Sequence, residues 1–118
     1  MASSSDLRPA WQVYVYFKVA PENKTAVIEQ SMRLQGEFQG LGITQGLMER
    51  ADDGGFDTEA KTAKHHTLME VYTPSDCKNG ISCAEFTRLL QQKTLGWCSQ
   101  LAEAPIRITE VFVNTQVA

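Results

Sequence analysis

Met69-Glu70-Val71-Tyr72 returns in near-copy as Thr109-Glu110-Val111-Phe112, about forty residues further along the chain. Each reads as a strand with a carboxylate and an aromatic ring on one face and apolar or β-branched residues on the other. A third stretch, Trp11 to Val19, alternates in the same way. Trp11, Val13, Val15, Phe17 and Val19 stand against Gln12, Tyr14, Tyr16 and Lys18. If the three strands are neighbours, two Glu side chains and four aromatic rings converge on one side of a single sheet. Such a face must meet solvent, a ligand or another subunit.

The remaining segments supply the elements between these strands. Ala20-Pro21-Glu22-Asn23 breaks the first strand and opens a helix, with Glu22 near the positive end of its dipole. Val27, Leu34, Phe38 and Leu41, joined by Ile28 and Met32, predict one buried stripe, and Gly40 and Gly42 mark its end. A second strand follows from about Ile43 to Arg50, and Asp52-Asp53-Gly54-Gly55 turns the chain. The polar stretch to Lys64 has little to pack, and the third strand spans His65 to Thr73. Ser82-Cys83-Ala84-Glu85 has the form of a capping box. It opens a second helix with Phe86, Leu89, Leu90, Trp97 and Leu101 on one stripe, broken late by Gly96. Ile106 to Asn114 is the fourth strand.

The order β-α-β-β-α-β predicts an α+β, ferredoxin-like domain over residues 11–114, with a flexible lead at 1–10 and a short tail at 115–118. In that topology the antiparallel sheet has order 4-1-3-2 and both helices lie on one face. The faces follow from solvation: a carboxylate under the helices loses its hydration at a cost of several kcal/mol unless it is paired. Leu68, Glu70 and Tyr72, with Ile108, Glu110 and Phe112, are therefore expected to face away from the helices. Gln12, Tyr14, Tyr16 and Lys18 would join them. That set is too aromatic for bare solvent, so a second sheet is expected against it, making the protein a homodimer.

The aromatic first strand, Leu47-Met48-Glu49-Arg50-Ala51-Asp52-Asp53, Leu68-Met69-Glu70-Val71-Tyr72, and Arg107 with Glu110-Val111-Phe112-Val113 resemble the dimeric α/β-barrel superfamily. Within it they resemble a small uncharacterised proteobacterial family, the domain of unknown function 4936. The chain departs from that family in having Leu68 where a Trp is usual, and in its loops at 54–64 and 77–83. The resemblance implies two ferredoxin-like subunits packed sheet to sheet. It leaves activity open, because relatives in the superfamily include cofactor-free monooxygenases, haem-degrading enzymes, isomerases and members without known chemistry.

Composition narrows the function classes. The 118 residues hold 11 Lys and Arg against 14 Asp and Glu, a net charge of -3. This argues against non-specific nucleic-acid binding, which depends on clustered cations. No apolar run is long enough to span a bilayer. No export signal is evident, so Cys77, Cys83 and Cys98 are expected as thiols in a reducing, cytoplasmic setting.

Glu70 and Glu110 are the candidate acid-base pair, since two carboxylates in a partly dry pocket can have their pKa values pushed apart. The structural reading pairs them with Arg50, Lys18 or Arg107. Tyr14, Tyr16, Tyr72 and Phe112, with His66 and Leu68, form the candidate ligand surface, suited to a flat ligand. The same rings could fill a dimer core. His65 and His66 point to opposite faces of a strand and belong to no metal motif, so neither metal nor haem is expected. Cys77 and Cys83 flank one loop and could approach one another, and Cys83 lies where a helix N-terminus can activate a thiol. The enzyme reading is a cofactor-free oxygenase or isomerase with a Glu base. The alternative is a structural or regulatory dimer in which these residues are interface contacts.

Overall fold

Alternation in Trp11–Val19 builds β1, with its odd-numbered residues buried, Gln12, Tyr14 and Tyr16 half-buried, and Lys18 exposed. This is a computed structural model, and it describes residues 9–50, 56–57, 62–63, 65–75, 81–98 and 105–115. Residues 1–8 of the expected lead at 1–10, the turn at 52–55, Cys77, Leu101 and residues 116–118 of the tail at 115–118 lie outside the described residues, as do the side chains of Trp97 and Cys98.

A 3-10 turn at Pro21–Asn23 leads into α1, Lys24–Gln39. Its buried line is Val27, Ser31, Leu34 and Phe38. Met32 and Leu41, expected on that stripe, are exposed. Ser31 holds the central place instead, while Met32 points off the line and Leu41 lies past the last helical turn. Gly42 then takes a φ of 76°, the left-handed conformation glycine adopts without strain, and delivers the chain into β2, Ile43–Glu49.

Two short strands, β3 (Phe56–Asp57) and β4 (Thr62–Ala63), pair antiparallel in a separate small sheet. The sequence reading has only a polar stretch there, because two residues carry no legible period. The long strand β5, His66–Pro74, is followed by α2, Cys83–Cys98, and β6, Ile108–Val113. The capping box at α2 is present: the Glu85 backbone N–H donates to Ser82 Oγ (3.2 Å), and the Ser82 hydroxyl donates to the Glu85 carboxylate (3.1 Å). The helix runs through Gly96 rather than breaking there.

β2, β5, β1 and β6 form one antiparallel sheet in that order. Counting these four strands along the chain, the order is 2-3-1-4 from the β2 edge and 4-1-3-2 from the β6 edge. β1 lies between β5 and β6. Both helices send their buried residues into one core with Val13, Val15, Phe17, Leu68 and Tyr72. Phe86 is its centre, with ring centroids 5.4 Å from Trp11, 4.9 Å from Phe38 and 5.1 Å from Tyr72. Rings packed this way add to the roughly 1.5–3 kcal/mol that burial of each large apolar side chain contributes.

The register corrects the expected faces. Val15 lies opposite Glu70 in β5 and opposite Thr109 in β6. Tyr14 lies opposite Val71 and Glu110. Residues directly opposite share a face, so Glu70 lies with Val15 on the helix side and Glu110 lies with Tyr14 on the open side. The two near-copies are one residue out of phase, and with a period of two they present opposite faces. Leu68 and Tyr72 follow Glu70 into the core rather than away from the helices, at 1% and 0% exposure. The desolvation argument fails for Glu70 because partners from α1 and from the segment before β6 compensate its charge.

Candidate functional site

On the helix side, four donors converge on the Glu70 carboxylate, which is fully buried. The Ser31 hydroxyl donates from α1 at 2.5 Å, and the Tyr72 hydroxyl, two residues along β5, donates at 2.7 Å. The Arg107 guanidinium approaches as a fork, its nitrogens 2.5 and 3.4 Å from the two oxygens. It also lies over the Phe17 ring, 4.9 Å from the centroid. Gln45 of β2 sits in the same cross-strand row as Tyr72 and donates to the Tyr72 oxygen (3.0 Å) and to the Ser31 carbonyl (3.1 Å). Ser31 and Gln45 are absent from the sequence reading. The signal for Ser31 is its position, a hydroxyl in the middle of the α1 apolar stripe.

Four donors on two oxygens leave Glu70 no open lone pair with which to take a substrate proton. Glu70 and Glu110 therefore do not form an acid-base pair: they occupy opposite faces, and Glu110 is exposed. The arrangement around Glu70 is a charge-compensated core network. Its effect is clearest at Tyr72, whose hydroxyl is pushed far above its ordinary value by burial and then by the adjacent Glu70 carboxylate.

The sign of this shift fixes a pH dependence. A tyrosine that keeps its proton in the folded state contributes stability that is complete below the unfolded value of about 10 and falls as pH rises above it. We expect the wild type to lose up to about 1.4 kcal/mol per pH unit above pH 10 from this group. Tyr72→Phe should cost about 1–2 kcal/mol at neutral pH and flatten that alkaline limb. Urea unfolding from pH 8 to 11 measures both; parallel alkaline limbs in the two proteins would contradict the assignment.

His66 shares the helix-side face with Glu70 but is engaged elsewhere. Its Nδ1 lies 2.8 Å from Glu49 Oε2, and Lys24 Nζ lies 2.8 Å from Glu49 Oε1. Lys24, then His66, holds the Glu49 carboxyl below its ordinary value. Burial pushes the Cys83 thiol up, which works against the reactivity considered for it. Among the described residues no group of three His, Cys, Asp or Glu is placed to hold a metal ion.

The open face is organised in rows across the strands. Ile108, Tyr16, Met69 and Met48 make one row, and Glu110, Tyr14, Val71 and Gly46 the next. Tyr14 and Phe112 meet edge to face at 5.3 Å, and the Tyr14 hydroxyl donates to Gln12 (3.2 Å). Met48, Ile108 and Phe112 are about half exposed, at 50%, 48% and 55%. At the Tyr16 end lies a cavity of about 420 Å³, bordered by Tyr16, Lys18, Arg50, His65, Ile106 and Ile108. Tyr14, Tyr16 and Phe112 of the expected ligand surface are thus together on this face, without Leu68, Tyr72, His66 or Glu70.

Compared with known proteins, the chain matches no family model, no curated protein and no solved structure. No helix among the described residues is long and apolar enough to cross a membrane.

Proposed function

We propose that the protein is a homodimer of ferredoxin-like subunits, of the dimeric α/β-barrel kind, that encloses a small ligand between paired sheet faces. The observation that carries this reading is the open face itself. Tyr14, Tyr16, Met48, Ile108 and Phe112 form an apolar and aromatic surface on the side opposite the helices. An apolar patch of this kind marks an interaction surface. A second copy suits it, because the same face under a twofold axis meets its own chemistry and two twisted sheets pack face to face.

The ligand belongs at the Tyr16 end, where a cavity of about 420 Å³ is within the size range of small-molecule sites. Glu110 is the one carboxylate on this face among the described residues, and any acid-base step would fall to it. Glu70 has a structural role. The proposal places the protein in a reducing, cytoplasmic setting, where its three cysteines would remain thiols. The half exposure of Met48, Ile108 and Phe112 favours a second reading, in which the open face is a subunit contact and nothing more.

Native mass spectrometry of the purified protein separates the two. We expect a dimer carrying a small molecule that is lost on gentle activation, and a large reduction of that species in Tyr16→Ala. A bare dimer that takes up no small molecule would favour the contact-only reading.

A further inference from the structure

We propose that the sheet-face site takes a planar aromatic anion, its carboxylate or equivalent acid group held between Lys18 and Arg50. The inference rests on the sheet-face reading above and adds the chemical class of the ligand. Three strands place the residues. Lys18 of β1 lies opposite Thr67 of β5, and on the other side of Thr67 the Arg50 backbone N–H donates to the Thr67 carbonyl at 3.0 Å. Lys18, Thr67 and Arg50 therefore form one row across the open face. Adjacent strands are about 4.8 Å apart, so the two cationic residues stand about 10 Å apart with a Thr between them. Both side chains are long enough to converge above that Thr.

Two like charges held this close repel one another unless an anion is shared. Among the described residues neither the Lys18 nor the Arg50 side chain has an acidic partner. Among the described residues no acidic side chain borders the cavity, although the chain as a whole carries a net charge of -3. The next row provides the complement to the charge. Tyr16 and Ile108 are directly opposite one another and border the same cavity, with Met69 and Met48 continuing the row. A flat apolar body lying on Tyr16 and Ile108 would put an acid group over the cationic row. Arg50 supplies planar bidentate donors and Lys18 a point charge, a pairing suited to a carboxylate.

Isothermal titration of the purified full chain with 2-naphthoate and with its neutral isostere 2-naphthamide tests this. We expect 2-naphthoate to bind about tenfold more tightly than 2-naphthamide, and more weakly as salt rises. Lys18→Gln and Arg50→Gln, both at exposed positions, should each weaken 2-naphthoate about tenfold and leave 2-naphthamide unchanged. Equal binding of the two probes, abolished by Tyr16→Ala, would overturn the anion inference and leave the sheet-face site standing. Binding of 2-naphthoate that ignores both substitutions would also overturn it. Binding of neither probe would remove both readings.

Discussion

Glu70→Gln is expected to destabilise the fold by about 3–5 kcal/mol, because it leaves the Arg107 guanidinium, only 11% exposed, facing a neutral amide. The amide also presents one acceptor oxygen where the carboxylate presented two. Ser31, Tyr72 and the Arg107 fork all aim donors at those two positions. At least one buried hydroxyl or guanidinium nitrogen then lacks its acceptor, and an NH₂ group is turned toward donors. For a chain of 118 residues this corresponds to a fall in melting temperature of more than about 10 °C. Removing both charges, as in Glu70→Gln with Arg107→Met, should cost less than Glu70→Gln alone, since an apolar stem over Phe17 leaves no stranded charge. Thermal melts of the single and double variants check the pair. A loss below about 1 kcal/mol for Glu70→Gln would contradict the network, and a double variant no better than the single would contradict its electrostatic basis.

Much of the architecture is legible in the residues, and the exceptions have identifiable causes. The β1 alternation sorts its two faces without help from any other segment, because every odd position is large and apolar. The Ser82–Glu85 cap is equally local. The face of β5 is different. Both of its alternating sets contain apolar residues, so the choice falls to Glu70, and a buried carboxylate is accepted only if its partners are known. Those partners are Ser31 and Arg107, at sequence separations of 39 and 37 residues. The sequence names Arg107 only as one of three alternative partners and gives no sign of Ser31, so a rule about single residues cannot choose the face. The likeness of the two Glu motifs adds to the error: composition makes them look equivalent, while the register places them one step out of phase. The cationic row has the same character. Lys18, Thr67 and Arg50 become neighbours only once three strands are aligned.

Phe112→Asp is expected to raise the dimer dissociation constant by at least about a thousandfold, or about 4 kcal/mol. In the proposed dimer a twofold axis would place the substitution twice in the interface, and burying an unpaired carboxylate costs several kcal/mol at each position. Phe112 is 55% exposed in the single chain, so subunit stability should change by less than about 1 kcal/mol. Loss of the edge-to-face contact with Tyr14 accounts for most of that change. The effect therefore separates association from folding, in contrast to Glu70→Gln, which acts on the core.

Sedimentation equilibrium of the wild type and Phe112→Asp at micromolar concentration, with circular dichroism on the same samples, tests the pairing of open faces directly. The account predicts a wild-type mass of twice 13.1 kDa and a folded Phe112→Asp variant at 13.1 kDa. A folded wild-type monomer, or a variant that remains a dimer, would contradict it.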